Sequence, residues 1–496
     1  MSVTVNTVRA GVFLDSVVLM QISRKLTAIQ GVEDAALMMA TPANRDILSD
    51  AGLLEEGTMA GPGDLLVAVR AQDRAIADST LQRAAELMER PAQRNDGAQE
   101  LHPLTLRSAC RQLPTANLAL ISVPGDYAGA EARKALRAGL NVMIFSDNVP
   151  LAEEISLKRE ARDLGLVVMG PDCGTAIIDG VPLAFANVVP RGDIAIVGAS
   201  GTGIQEVSCL IARAGKGISH AIGVGGRDLT EAVGAISTLT ALDWLERDAV
   251  THHIVLISKP PAPGVADRIV QFIRRSSKSY TVCLVGSDDL VLPDNAKLTT
   301  TLKDAAVAAA NSSKGLAAVS AVQRAPAVSG YVRGLYSGGT LAAEAQAVFL
   351  SHRQPVLSNA PIPGAGLFTS QRTNHIMIDL GDDRFTRGRP HPMIDPAVRD
   401  EPILAALSDP DVGAVLLDVV IGFGAHPDPA GHLAGLLERQ SRPCPVVIAS
   451  VTGTDEDPQV RARQVSVLEQ AGVMVAPSNA DAAELALACL NTGKDP

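Results

Sequence analysis

The feature that most constrains this chain is a repeated local pattern: a short unbroken apolar run ends in a glycine-rich turn. Continuous apolar runs of strand length suit strands covered on both faces, and such strands belong to parallel sheets flanked by helices. Four turns stand out: Gly170-Pro171-Asp172-Cys173-Gly174-Thr175, Val197 to Gly203 (VGASGTG), Leu335 to Thr340 (LYSGGT) and Gly223 to Asp228 (GVGGRD). At the carboxyl edge of a parallel sheet, glycines permit positive φ and close backbone approach. A helix opening there presents free N–H groups and a positive dipole end to an anion. Gly170, Pro171, Asp172, Ser200, Gly201, Thr202, Gly203, Gly225, Gly226, Ser337, Gly338, Gly339 and Thr340 are therefore candidate phosphate- or substrate-binding residues. The plainer reading is that they are tight turns and caps. None completes a P-loop or a GxGxxG fingerprint.

The runs organise into an α/β architecture of tandem doubly wound parallel-sheet domains. Residues 1–90 show strand patterns at Thr7–Leu14, Val32–Ala40 and Asp64–Ala71, separated by helical stretches. They predict an α+β domain of ACT or ferredoxin-like type. The polar segment Pro91–Glu100 reads as a linker. Residues 105–190, 191–311 and 330–496 each predict a βα unit, with Asn311–Ser329 as an interdomain linker. The last two share an opening of strand, glycine turn and helix, an internal duplication. With aromatics at only 3%, the cores must be built from Val, Ile, Leu and Ala.

A net charge of −11 argues against nucleic acid or an anionic membrane as a partner. Cysteines at 110, 173, 209, 283, 444 and 489 show no CxxC and read as reduced thiols of a cytoplasmic protein. No signal-peptide pattern and no apolar run near the roughly 20 residues needed to span a bilayer is visible. No metal-ligating spacing is expected either.

The order GPDCGT, AIVGASGTGIQEV, AIGVGGRDLT and HHIVLIS, from about Leu118 to Val285, is similar to the α subunit of succinyl-CoA synthetase. That resemblance implies a CoA-binding Rossmann-like domain followed by flavodoxin-like ligase-type domains. The ACT-like N-terminus, the second ligase-like unit, YSGGTLAAEA and GRPHPMIDP resemble the FdrA family across nearly the whole chain. The synthetase subunit phosphorylates a histidine after its ligase strand; here Ser258–Thr300 holds none, and Lys259 stands near the position of its glutamate. FdrA likeness implies a subunit of an oxamate carbamoyltransferase in allantoin catabolism, using carbamoyl phosphate and needing no cofactor. Coenzyme A or a nucleotide stays open as a ligand. The alternatives are a nucleotide-dependent acyl-CoA ligase subunit and a non-catalytic regulatory subunit. Partner enzyme subunits, a small anionic substrate and a homo-oligomer are expected.

Carbamoyl transfer needs donors on phosphate, a donor on the carbonyl oxygen and a base near the attacking atom. The basic stretch Arg384 to His391 offers Arg387 or Arg389 for phosphate or oxamate and His391 for the carbonyl oxygen. The plainer reading is a solvated basic loop paired to Asp382, Asp383 and Asp395. His426 lies after the apolar strand Val412–Val420, where ligands bind, or is a turn histidine before a helix start. Cys173 reads as a packing residue beside its turn.

Overall fold

The computed structural model describes residues 2–12, 14, 16–55, 57–89, 103, 105–286, 289–310, 326–369, 373–386, 390–438 and 445–491. Both expected linkers, apart from 326–329, fall outside these residues, as do Arg387 and Arg389.

The N-terminal domain runs β1 (Val3–Arg9), α1 (Ser16–Thr27), β2 (Val32–Met39), α2 (Pro42–Asp50), β3 (Leu65–Ala71) and α3 (Arg74–Glu89). Its three strands form an antiparallel sheet in the order β1-β3-β2, a ferredoxin-like arrangement. Leu19, Leu26, Leu37, Val67 and Ala77 bury one face of the sheet. Leu48, Leu53, Leu66 and Ala68 bury the other. Helix α2, absent from the sequence reading, is announced by Thr41, whose hydroxyl accepts from Asn44 N ahead of Pro42. The first strand begins and ends earlier than Thr7–Leu14, because Gly11 takes a positive φ of 68°. The segment after α2 lies along β1: Asn6 N donates to Glu55 Oε2 and Glu55 N donates to Asn6 Oδ1.

Next come α4 (Leu106–Gln112), β4 (Leu118–Ile121), α5 (Gly125–Arg137), β5 (Asn141–Ile144) and α6 (Leu151–Asp163), with β4 and β5 paired in parallel. Chain contacts group residues 1–160 with 383–390 as one compact unit and the remainder as another.

The second unit holds two α/β halves, each built on a seven-stranded sheet. After β6 (Val168–Met169), which lies outside the seven-stranded sheets, the first half contains β7 (Thr175–Ile178), β8 (Val181–Ala184), β9 (Arg191–Gly198), α7 (Gly201–Arg213) and β10 (Ile218–Gly223). It continues through α8 (Ile236–Arg247), β11 (His253–Ser258), α9 (Pro263–Arg275), β12 (Ser279–Leu284), β13 (Ala296–Thr299) and α10 (Leu302–Ala310). The second half contains β14 (Tyr331–Tyr336), α11 (Gly339–Ser351), β15 (Val356–Ser358), β16 (Gly366–Leu367) and β17 (His375–Asp379). After the short α12 (Asp383–Thr386), which groups with the other unit, come α13 (Asp400–Ser408), β18 (Val412–Val420), α14 (Pro429–Glu438), β19 (Val446–Thr452), α15 (Arg461–Gln470), β20 (Met474–Ala476) and α16 (Asn479–Asn491).

The two seven-stranded sheets have the orders β13-β12-β11-β9-β10-β7-β8 and β20-β19-β18-β14-β17-β15-β16; they correspond over five strands, β13 to β10 and β20 to β17, whereas β7 joins β10 antiparallel and β15 joins β17 in parallel. The duplication read from the sequence corresponds to this match. The register makes it residue by residue. Two positions before each helix cap, Gly198 pairs with Gly223 and Tyr336 with Asp379. Three before, Val197 pairs with Leu256 and Leu335 with Leu417. Gly223 thus stands where Asp379 stands, and Ile257 where Asp418 stands.

Helices α7 and α11 lie between the sheets and are buried along almost their whole length, with residues from both halves in one core. The sixth residue of each reaches across. Glu206 of α7 accepts from Asn479 N, at the start of α16. Glu344 of α11 accepts from Leu302 N and Lys303 N, at the start of α10. Each half therefore supplies the acceptor for the orphan amides of the other half's last helix. Burial raises both carboxyls, Glu344 to about 7 with Glu206 adding to the rise.

Candidate functional site: the junction of two helix starts

The second and third glycine turns meet. Ser200 caps α7, its hydroxyl accepting from Gly203 N at 3.0 Å. That hydroxyl also lies 2.5 Å from the Thr340 hydroxyl on the first turn of α11. A β-carbon on Gly338 would come 2.9 Å from Thr202 Oγ1, so only glycine lets the two starts approach this closely. The amides of Gly201, Thr202, Gly339 and Thr340 find no acceptor among the described residues outside their helices. Two helix starts, with their dipole ends and two hydroxyls, thus meet at one point.

Part of the third turn is spent internally, contrary to the expectation for Ser337 and Gly338. The fully buried Asp418 of β18 accepts from Ser337 N, Ser337 Oγ and Gly338 N, each at 2.8 Å. Arg399 Nη1 pairs with Asp418 Oδ1 at 2.8 Å and donates to its carbonyl at 2.9 Å. A lone carboxyl group inside a nine-residue strand needs such hydrogen-bond partners away from water. This clamp fixes the turn and leaves the amides of Gly339 and Thr340 as the ones it does not engage.

Asp379 ends β17 beside the same helix start. Its backbone is held both ways by Asn359, whose amide donates to Asp379 O at 2.9 Å and accepts from Asp379 N at 2.8 Å. Oδ1 accepts from Gly381 N at 2.9 Å. A β-carbon on Gly339 would collide with Oδ2. Burial lifts this carboxyl to about 6, helped by Asp382 and Asp418 and opposed by Gly381 N and Lys259.

His391 faces the same glycine. Its Nε2 lies 2.6 Å from the point a β-carbon on Gly381 would occupy, and Asp379 Oδ1 lies 3.2 Å from that point. His391 Nδ1 accepts from Met393 N at 3.2 Å. The neutral ring therefore carries its proton on Nε2. Burial pushes the ring down to about 4, so it is a neutral donor at pH 7.

The other predicted residues are placed differently. Gly170, Pro171 and Asp172 lead into strand β7 rather than a helix, because residues 175–184 fold back as an antiparallel hairpin on the edge of β10. They offer no helix start to an anion. Gly225 packs on them, a β-carbon there falling 2.5 Å from Pro171 O. Gly225 and Gly226 do not open a helix either, since α8 starts only at Ile236. That start is capped by buried Asp228, which accepts from Ser237 N, Thr238 N and Thr238 Oγ1. His426 is a turn histidine: its Nδ1 accepts from Asp428 N, and its backbone N donates to Met393 O. Cys173 packs beneath Gly223, as a small buried residue should. Among the described residues no cluster of His, Cys, Asp or Glu could hold a metal ion, and no helix is long and apolar enough to cross a membrane.

Sequence reasoning missed Asp379, Asp418 and Arg399. Asp418 carried a signal, a single charge within the otherwise apolar run VGAVLLDVV.

A curated relative, the uncharacterized protein YahF of Escherichia coli, is 38% identical over 98% of this chain and 99% of its own length. The chain belongs to the YahF family. A CoA binding domain matches residues 190–283 and a CoA-ligase domain residues 335–489, so Ser200 and Thr340 lie in different matched domains. The heavy metal-associated domain of AllF matches residues 1–103, a stretch with no cysteine here. Subunit alpha 1 of the ADP-forming succinate–CoA ligase of Archaeoglobus fulgidus is 24% identical over 38% of this chain and 66% of its own. The ADP-forming sulfoacetate-CoA ligase subunit SauD of Bilophila wadsworthia is 28% identical over 29% of this chain and 50% of its own. The chain is thus built on a succinyl-CoA synthetase α-like, CoA-ligase scaffold.

Proposed function

We propose that this chain is a subunit of an acyl-transferring enzyme of the CoA-ligase class, acting on a carbonyl bonded to phosphate where α7 and α11 begin. The observation that carries this reading is the meeting of two helix starts from separate halves, with their hydroxyls 2.5 Å apart. Phosphate oxygens would face the amides of Gly201, Thr202, Gly339 and Thr340. The carbonyl oxygen would face Nε2–H of His391. The names of the matched families and of the ligase relatives support coenzyme A as the acceptor.

A second acceptor is favoured by one observation. No histidine lies between His253 and His352, where the resemblance to synthetases calls for a phosphorylated one. Carbamoyl phosphate already carries its phosphate on the carbonyl and needs no such relay. The FdrA-type reading, carbamoyl transfer to oxamate, therefore uses the same junction.

One experiment separates the two: the purified chain, alone and with co-expressed partner subunits, receives acetyl phosphate with coenzyme A or carbamoyl phosphate with oxamate. Thioester formation supports the ligase reading. Oxamate-dependent phosphate release supports the carbamoyl reading. Neither product in any combination overturns both and leaves the regulatory-subunit reading.

A further inference from the structure

The geometry points to Asp379 as the catalytic base that takes the proton from the acceptor as the acyl group moves. This rests on the acyl-transfer reading above. Asp379 sits at the carboxyl edge of the sheet, paired with Tyr336 two residues before the cap of α11. Asn359 fixes its backbone and Gly381 N holds Oδ1. Oδ2 lies against Gly339, the first residue of α11, and accepts no hydrogen bond from any described residue. One oxygen is thus anchored while the other lies against the start of α11, whose first amides would hold the phosphate in the reading above.

The remaining polar groups around that helix start are committed or unsuited. Asp418 is saturated by Ser337, Gly338 and Arg399. His391 uses Nδ1 to accept from Met393 N and carries its proton on Nε2, so it is a donor. Ser200 and Thr340 are hydroxyls bonded to one another. In the first half, Gly223 occupies the register of Asp379, so the pairing of the halves brings one carboxylate to the junction. The charged and titratable groups facing Asp379 are Lys259 just after β11, Asp382, Asp418 and His391. The two aspartates and burial favour proton uptake, while Lys259 and Gly381 N restrain it, which places the carboxyl at about 6. A base in that range is largely ionised at pH 7 and still accepts a proton readily.

The step balances. The acceptor's lone pair, on sulfur or amide nitrogen, forms a bond to the carbonyl carbon. Its proton passes to Asp379 Oδ2. The bond from that carbon to the phosphate oxygen breaks, and its electron pair leaves with phosphate. Asp379 then returns the proton to solvent.

The test measures kcat and KM for the donor–acceptor pair the protein turns over, from pH 5 to 9, for wild type, Asp379→Asn, Asp379→Glu and Gly339→Ala, with melting curves for each. The expected wild-type kcat falls as the pH drops below about 6. Asp379→Asn should lower kcat about 10²–10⁴-fold, leave the donor KM nearly unchanged and abolish the acid limb, and Asp379→Glu should recover part of the rate. Gly339→Ala keeps the carboxylate but forces Oδ2 aside, so a fall in kcat there with the donor KM unchanged and the acid limb shifted supports the role even if Asp379→Asn unfolds, whereas a rise in the donor KM alone counts against it. A kcat for a folded Asp379→Asn close to wild type, or an acid limb that survives in it, overturns the inference while leaving acyl transfer intact. A Gly339→Ala enzyme as fast as wild type also counts against it. A wild type without turnover sinks the acyl-transfer reading itself.

Discussion

The two halves of the second unit share the order of five strands, the register beside the first helix and the position of a crossing glutamate, yet their helix openings are built differently. In the first half, Ala199 N, just before the cap, donates to the backbone carbonyl of Ile257. In the second, the equivalent Ser337 N donates to the side chain of Asp418, and Arg399 balances that charge. Gly223 in the first half leaves room for Cys173; Asp379 in the second brings a carboxylate to the junction. One opening is apolar and closed by main-chain bonds and the other is ionic. The difference teaches that a duplicated scaffold can keep its geometry while ionisable groups gather in one copy.

Grafting one half's residue into the other tests this most severely. Asp418→Ile installs the residue of the first half but strands Arg399 in the interior, and should cost about 3–5 kcal/mol. Adding Arg399→Met should return most of that loss. Urea midpoints read both, and a harmless single substitution would mean that the clamp does not distinguish the halves.

The crossing glutamates come next. The folded pKa of Glu344, about 7, lies above its unfolded value. The stability this represents is complete below about 4.3, the ordinary glutamate value, and is lost as pH rises towards 7. Each unit of pKa difference is worth about 1.4 kcal/mol. Glu344→Gln should flatten that decline relative to wild type in melts taken between about pH 4.5 and 7.5. Equal slopes would show that the carboxyl titrates normally in the fold.

Crowding the junction should have a smaller effect. Gly338→Ala pushes a methyl into Thr202 of the other half and should cost about 1–3 kcal/mol, whereas Gly201→Ala meets only Thr175 and should cost less. The smallest effects belong to the hydroxyls. Ser200→Ala removes a cap worth about 1 kcal/mol, and Thr340→Ala, which caps nothing, should lower the melting temperature less. An equal loss from both would mean that their mutual bond, rather than capping, matters.

Much of the doubly wound pattern was legible because covered strands leave continuous apolar runs, as at His253–Ser258 and Val412–Val420. The turns at Ser200 and Ser337 were legible as strand-to-helix openings for the same reason. Their meeting was not, because the pairing of the halves is decided by buried faces of α7 and α11 that read as ordinary apolar helices. The turns at Gly170 and Gly225 misled because glycines mark a tight path without specifying the element it leads into. At Gly170 the chain continues into a hairpin, and the two turns pack on each other. His391 could be placed beside a ligand edge from its neighbours, but its tautomer depends on Met393 N, a backbone contact with no sequence signature.

The exchange of helix acceptors between halves has a consequence for biosynthesis. The amides of Leu302 and Lys303 are satisfied by Glu344, a residue well downstream. Asn479 N, made long after Glu206, is the donor that Glu206 accepts from. During translation the leading half therefore emerges with an unfinished final helix and an uncovered acidic group. The stretch that carries Asn479 supplies the partner that Glu206 lacks until then, so a product cut before α16 should be prone to recognition by quality-control proteases.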